Sequence, residues 1–277
     1  MADVLAALKE AFGTFMKNIA GCLLYTLVFG IACAAALGIM LAIVFVLGII
    51  AVGGAAGSLS LGSGTMVSFV FLGGAFLVLL LGVLIISWLM SGLIGSYYDA
   101  LHSFLVARKP TLGGFFSGVP KKATPIFFAG LIQGLIVFVP AFLVTAIASF
   151  AGAGSGIAGM AVQAITGLYS AIIGFLTVFI IAAVVVDAKG AMSSVQHSMS
   201  VVSRNMIPMI IYAILSMLLA LPVLLAIGVP AVLMALINNS LLQALLGLGV
   251  LFSLAYSVFF LMPLMALFNM SLYRKLK

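Results

Sequence analysis

The sequence NIAGCLLYTLVFGIACAAALGIMLAIVFVLGII, residues 18–50, contains no charged side chain, and the charge-free segment that it begins continues to residue 98. Segments 123–186 and 205–273 are likewise free of Lys, Arg, Asp and Glu. Hydrophobic residues make up 66% of the 277-residue chain and charged residues only 5%, whereas about a quarter of an average soluble chain is charged. A chain of this composition cannot enclose its apolar surface in water, so we predict that lipid is its main solvent.

The lengths of the three segments, 81, 64 and 69 residues, set the number of membrane crossings. About 20 helical residues cross the roughly 30 Å hydrocarbon layer, so each segment fits two spans. Two spans per segment also place every Lys and Arg on one side, as the preference of short cytoplasmic loops for basic residues requires. We therefore predict an all-α polytopic bundle in the cell membrane, with six transmembrane helices, three hairpins and both termini cytoplasmic.

Small and helix-breaking residues mark the outer turns of these hairpins. The predicted turns fall at residues 52–64, at 152–156, and at Gly228, Pro230 and 238–240. Prolines inside the spans add expected irregularities, with Pro222 predicted to break the fifth span and Pro140 and Pro263 to kink the third and sixth.

An amphipathic stretch precedes each predicted hairpin and is expected to form a cytoplasmic interfacial helix. The apolar stripes are, in order, Val4, Leu5, Leu8, Phe12, Phe15 and Met16; Leu112, Phe115, Phe116 and Val119; and Met192, Val195, Met199 and Val202. Thr111 can cap the second of these helices, and Pro120 is expected to stop it before Thr124 and Pro125 start the next helix. The chain is thus predicted to be one transmembrane domain, 1–277, with pseudo-repeats 1–109, 110–189 and 190–277.

Two stretches of the chain resemble those of a known family. DAKGAMSSVQHSMSVVSRNMIPMIIYAIL, residues 187–215, and GSYYDALHSFLVARKPTLGGFFSGVPKK, residues 95–122, are similar to the membrane domain attached to some glycerophosphodiester phosphodiesterases. Stand-alone bacterial and archaeal proteins share that layout. The resemblance implies a six-span fold and carries over no activity and no functional residue.

Polar residues at the predicted cytoplasmic edge are candidate contacts for lipid headgroups or a partner. They are Asp99, His102, Arg108, Lys109, Lys121, Lys122, Asp187, His197 and Arg204. Asp99 and His102, at spacing i, i+3, fit either a proton relay or metal pair, or an ordinary interfacial anchor. His197 and Arg204 fit either a phosphate contact or a solvated helix face.

A second set of polar residues lies within the predicted spans and could line a cavity. These residues are Ser87, Ser91, Gln133, Tyr256 and Asn269, and interhelical hydrogen bonding explains them equally well. Gly130 and Gly134 form a GxxxG pattern around Gln133, which predicts a close helix approach.

The chain carries few of the groups on which enzymes and coupled transporters depend. It has four carboxylates and two histidines, all near the predicted cytoplasmic edge, so we expect no catalytic residues, metal or cofactor. No charge lies at a predicted mid-membrane position, where coupled transporters usually need one. The net charge of +7 is expected to face anionic lipid headgroups and gives no reason to expect nucleic acid. We predict a non-enzymatic scaffold or accessory subunit with a homo-oligomeric or membrane-protein partner, or alternatively a permease that handles lipids or other amphiphiles.

Overall fold

The computed structural model describes residues 2–60, 64–152, 155–236 and 239–277, and these residues are almost entirely helical, with none in a β-strand. The helices are α1 (Ala2–Lys17), α2 (Ile19–Ser60), α3 (Gly64–Leu105), α4 (Leu112–Phe150), α5 (Gly156–Leu176), α6 (Ile180–Asp187), α7 (Ala191–Arg204), α8 (Met206–Leu236), α9 (Ser240–Tyr256) and α10 (Met262–Leu276). A π-helical turn, Ser257–Leu261, joins α9 to α10.

Six helical segments in the described part of the chain are long and apolar enough to cross a bilayer. They are Ile19–Ile49, Phe76–Leu105, Leu112–Phe150, Gly156–Asp187, Met206–Met234 and Ser240–Leu276. The prediction of an all-α, multi-pass membrane bundle is confirmed at this level.

The packed core lies at one end of the molecule, where the spans approach the charged segments. α1 packs against α10, and the buried side chains Val4, Ala11 and Phe15 of α1 share one cluster with Leu267 and Tyr273 of α10. The ends of α2, α3, α4, α6 and α8 nearest this cluster also contribute to it. We call this the charged end of the bundle.

The other ends of the helices, here called the arms, bury little. Val223 is the one buried residue of α8 beyond Tyr212 in the described range, α9 buries none, and α4 buries none beyond Ala129. Apolar side chains such as Ile31, Phe45 and Phe138 are more than 60% exposed. The structure is therefore held together at the charged end and presents uncovered apolar faces elsewhere.

Small residues produce a close helix contact between α3 and α4. A Cβ atom on Gly92 would lie 2.5 Å from the Val119 carbonyl oxygen, and one on Gly95 would lie 2.6 Å from Ile126 Cδ1. No described helix of this chain makes the predicted close approach at Gly130 and Gly134, because no described atom lies within 4 Å of a Cβ built there. The GxxxG spacing puts two glycines on one helix face but does not determine whether another helix meets that face.

Helix continuity differs from the prediction at the prolines. Thr111 does cap α4, since its Oγ1 accepts from the Gly114 amide at 3.1 Å, but α4 continues through Pro120 and Pro125 instead of stopping and restarting. Similarly, α8 continues through Pro222, Gly228 and Pro230 to Leu236. A proline removes one intrahelical donor, and these long helices continue despite that loss.

Parts of the predicted outer turns are also helical. Residues 52–60 belong to α2, while residues 61–63, 153–154 and 238 of the predicted turns lie outside the described residues. Gly152 and Gly156 have φ of 74° and 64°, which only glycine adopts without strain, and Asn239 caps α9 by accepting from the Leu242 amide.

Candidate functional site

The fourth candidate span is interrupted near the packed core, and this interruption is the centre of a buried polar network. α5 ends at Leu176 and α6 begins at Ile180, so residues 177–179 are not part of either α-helix. Thr177 and Phe179 are buried, at 3% and 0% exposure. Buried backbone polar groups at such a break need partners, because the helical hydrogen bonds are lost there and an unpaired buried group is costly.

Ser198 of α7 supplies two of these partners. Its Oγ accepts from the Phe179 amide at 3.1 Å and donates to the Leu176 carbonyl at 3.0 Å. The Ser198 side chain is fully buried. One hydroxyl therefore satisfies a donor and an acceptor on the two sides of the break.

Two amides from other spans complete the network. Gln133 Nε2 of α4 donates to Thr177 Oγ1 at 2.8 Å, and Asn269 Nδ2 of α10 donates to Tyr212 Oη at 3.2 Å and to the Val178 carbonyl at 3.4 Å. The break is thus bonded to α4, α7 and α10. This arrangement fixes the helices relative to one another.

The structure brings Gln133 and Asn269 to this break but does not assemble the five predicted cavity residues around one space. Ser87 is exposed, and Ser91 Oγ donates to the Ser87 carbonyl within α3. Tyr256 is half exposed and lines a groove between α2 and α9. Gln133 and Asn269 instead form hydrogen bonds between helices, which was the alternative interpretation of these polar residues.

A separate set of ion pairs ties the charged end together. Asp99 of α3 binds Lys122 of α4, with 3.1 Å between Oδ2 and Nζ. Asp187, at the end of α6, accepts from Tyr273 Oη at 2.5 Å and binds Lys277 Nζ. These carboxylates therefore fasten α3 to α4 and α6 to the C-terminal segment.

Glu10 of α1 joins the two termini in the same way. It accepts from Ser271 Oγ at 2.8 Å and lies 3.1 Å from Lys275 Nζ and 3.6 Å from Arg274 Nη1. Burial alone would raise the pKa of Glu10, but the Ser271 hydrogen bond and the two cations outweigh burial and lower the pKa below its ordinary value.

His197 lies beside this ion-pair set without a hydrogen bond at Nε2. The distance from Nε2 to Asp187 Oδ2 is 3.9 Å, and the ring meets Tyr273 edge to face at 5.9 Å. Burial and the nearby Lys189, Lys277 and Arg204 lower the pKa of His197, while Asp187 opposes them. The lowered pKa favours the neutral form of the imidazole.

The remaining predicted edge residues do not converge on one site. Asp99 pairs with Lys122 rather than with His102, and no described carboxylate lies within 4 Å of Arg108, Lys109, Lys121 or Arg204. Within the described ranges, no three His, Cys, Asp or Glu residues are arranged to hold a metal ion.

Sequence reasoning missed the helix break and Ser198. Residues 177–179, Thr-Val-Phe, contain neither Gly nor Pro, and Ser198 is one of several serines in α7. The face of α7 that is buried holds Ser194, Val195, Ser198, Val201 and Val202, while Met192 of the predicted stripe is 55% exposed. The high serine content of this amphipathic helix was the signal that could have indicated a buried serine hydroxyl.

The six apolar helices define the class of this chain as a multi-pass helical membrane protein. No protein-family model, curated protein or solved structure matches it.

Removing the Glu10 carboxylate is expected to weaken the link between the termini. For Glu10→Gln we expect a loss of at most about 1 kcal/mol at pH 7, because the carboxylate is 35% exposed and solvent screens it. Since the folded-state pKa is lowered, the stabilisation is present above the unfolded value, near 4.5, and is lost as the pH falls through the folded pKa. Thermal unfolding in detergent from pH 7 to pH 3 measures both effects.

The matched control for this prediction is Asp3→Asn on the same helix. Asp3 is exposed and forms no ion pair with a described residue, so this change should leave the unfolding midpoint within error of the wild type. A Glu10→Gln deficit that stays equally large at pH 3 would contradict the ion-pair explanation.

Proposed function

We propose that this protein is a non-enzymatic scaffold or accessory subunit of a membrane assembly. In this proposal the six spans form three hairpins, each preceded by a cytoplasmic amphipathic segment, and both termini face the cytoplasm of a cell-membrane protein. The family relationship to the membrane domain of glycerophosphodiester phosphodiesterases is part of the same proposal.

The observation that carries the proposal is the uneven packing of the bundle. Its charged end is closed by the core, ion pairs and buried hydrogen bonds, whereas the arms leave apolar side chains uncovered on several faces. α2 and α3 have 42 residues each, about 63 Å of helix, and so exceed a roughly 30 Å hydrocarbon layer. Such arms offer long surfaces to other helices.

Uncovered glycines on the α2 arm support a protein partner in particular. Gly30, Gly38 and Gly48 have no described atom within 4 Å of an added Cβ. Helix contacts in membranes depend on small residues that let two backbones approach. These glycines are therefore suited to a partner helix that the described part of the chain does not supply.

The ion pairs formed by the acidic groups support a non-enzymatic role. Glu10, Asp99 and Asp187 each bind at least one Lys or Arg that joins two parts of the fold. A general acid or base must instead reach the proton of a substrate. In this proposal the three carboxylates have a structural role, which is to link parts of the fold.

Photo-crosslinking in native membranes tests the scaffold proposal. A benzophenone amino acid at Phe45, which is 70% exposed on the α2 arm, should give a discrete product containing a second polypeptide. The same probe at Phe179, which is fully buried, serves as the control and should give none. Lipid adducts alone at Phe45, together with a monomer after extraction into nanodiscs, would contradict the proposal.

A groove beside the π-helical turn favours the alternative, a permease that handles lipids or other amphiphiles. This open groove has a volume of about 650 Å³ and lies between α2, at Leu24 and Leu27, and the sixth span, at Phe252, Tyr256 and Phe260. π-helical turns recur at functional sites, and an apolar groove of this size accepts part of an acyl chain. Movement of a labelled phospholipid across proteoliposomes that contain only this protein would favour the permease, and its absence would favour the scaffold.

A further inference from the structure

We propose that the groove between α1 and the α3–α4 connection, here called the cationic groove, binds the phosphate group of an anionic ligand, either a membrane lipid headgroup or a soluble phosphate. The groove encloses about 500 Å³. Thr14, Lys17 and Asn18 line it from the α1–α2 junction, and Arg108 and Lys109 line it from the connection.

An ordered turn presents the two adjacent cations of the connection. After α3 ends, Ala107 adopts a left-handed conformation with φ of 55°, and the Arg108 amide donates to the Ser103 carbonyl at 2.7 Å. Pro110 and the helix cap Thr111 follow immediately. The backbone that carries Arg108 and Lys109 is therefore fixed at both sides, which reduces the entropy lost when these side chains bind a ligand.

The charge of the groove is not balanced by the protein. Within the described part of the chain, no carboxylate lies within 4 Å of Lys17, Arg108 or Lys109. The carboxylate that lines the groove, Glu10, is bound by Ser271, Arg274 and Lys275. Three cations around one concavity concentrate positive potential and attract an anion.

The donor set is suited to phosphate. Arg108 can donate two parallel hydrogen bonds to phosphate oxygens, and the two lysines add mobile ammonium groups. The Thr14 side chain, which is partly buried, adds a hydroxyl that can also donate. Together these groups can surround a tetrahedral oxyanion from several directions.

The position of the groove relative to the candidate spans makes a lipid headgroup the first candidate source of the phosphate. Asn18 immediately precedes the candidate span Ile19–Ile49, and Leu105, which also lines the groove, ends the candidate span Phe76–Leu105. A phosphate in the groove would thus lie at the boundary of the apolar segments, where headgroups reside.

Native mass spectrometry with matched charge variants tests the site. The groove variant is Lys17→Gln/Arg108→Gln/Lys109→Gln, and the control is Lys9→Gln/Lys121→Gln/Arg204→Gln, which removes two lysines and one arginine that are exposed and outside the groove. Each full-length protein is purified in mixed micelles containing equal amounts of phosphatidylglycerol and phosphatidylcholine. A second arm compares thermal unfolding in inorganic phosphate and in chloride at equal ionic strength.

If a lipid headgroup is the ligand, the wild type and the control should retain phosphatidylglycerol at least about tenfold more than the groove variant does, since one charge-assisted hydrogen bond accounts for about that factor. If a soluble phosphate is the ligand, inorganic phosphate should raise the unfolding midpoint of the wild type and the control but not of the groove variant. Equal lipid retention and equal phosphate response in all three proteins, or equal losses in both variants, would overturn the proposal.

A single substitution tests the same site if the triple variant does not fold. Arg108 is exposed and unpaired among the described residues, so Arg108→Glu should fold and show the same selective loss. Normal phosphate or phosphatidylglycerol binding by Arg108→Glu would also overturn the proposal. The proposed phosphate site does not depend on the scaffold proposal. A failed crosslink at Phe45 would count against the scaffold alone, and a failed phosphate and lipid response would count against the cationic groove alone.

Discussion

Replacement of Ser198 by alanine is expected to lower the free energy of unfolding by about 2–4 kcal/mol, a large part of the stability of a typical domain. The change leaves the buried Phe179 amide and Leu176 carbonyl without the hydroxyl that bonds both. Each buried polar group that loses its partner costs about 1–3 kcal/mol. Unfolding in a detergent series of increasing SDS fraction, followed by circular dichroism, measures the loss.

Ser203→Ala is the matched control on the same helix. Ser203 is exposed, and its hydroxyl bonds only to the Ser200 carbonyl one turn away, so its removal should change stability by less than about 0.5 kcal/mol. If the two serine variants were equally stable, the interruption at residues 177–179 would not depend on α7.

The second large effect is expected from Gly92→Ala, which should destabilise the bundle by about 2–3 kcal/mol. The new methyl group would meet the Val119 carbonyl oxygen at 2.5 Å and Ala123 Cβ at 2.9 Å. Since one of these is a backbone atom, α3 and α4 must move apart, and overpacking of this kind typically costs about 1–3 kcal/mol. Thermal unfolding in detergent gives the change in stability.

Gly82→Ala on the same helix separates this clash from the helix-forming preference of alanine. No described atom lies within 4 Å of a Cβ at Gly82, so this variant should be as stable as the wild type or slightly more stable, because alanine favours a helix over glycine. A wild-type midpoint for Gly92→Ala would show that α3 and α4 do not approach as closely as the structure has them.

Charge and length were sufficient to predict the membrane class. The three charge-free segments can each hold two apolar helices, and six candidate spans are present in the described ranges. This prediction succeeds because charge and hydropathy belong to the residues themselves, and charged side chains are rare within transmembrane segments of any fold. Thr111 was likewise predictable as a cap, because a cap depends on neighbouring residues only.

Features that depend on distant contacts were not predictable in the same way. Pro222 and Pro230 signal a break in a soluble chain, yet α8 continues through both. The interruption at residues 177–179 has no local signal, because its hydrogen bonds come from Ser198 and Asn269. A single sequence does not say which helices become neighbours.

The same reasoning explains why the candidate site was predicted only in part. Gln133 and Asn269 were selected as polar residues within spans, and both bond to the interrupted segment or its neighbours. The cationic groove combines Lys17 with Arg108 and Lys109, residues about 90 positions apart. Arg108 and Lys109 were selected from their charge, but their meeting with Lys17 follows from the packing of α1 beside the end of α3.

The central claim is that all charged segments of this protein lie on one side of a membrane, and cysteine labelling in sealed vesicles of known orientation tests it most directly. In a background with Cys22 and Cys33 replaced by alanine, single cysteines replace Lys109, Lys189 and Asn239. A membrane-impermeant maleimide applied from the cytoplasmic side should label positions 109 and 189, and applied from the opposite side it should label position 239. Labelling of 109 or 189 from the side that labels 239 would contradict the proposed topology and the orientation on which the proposed function rests.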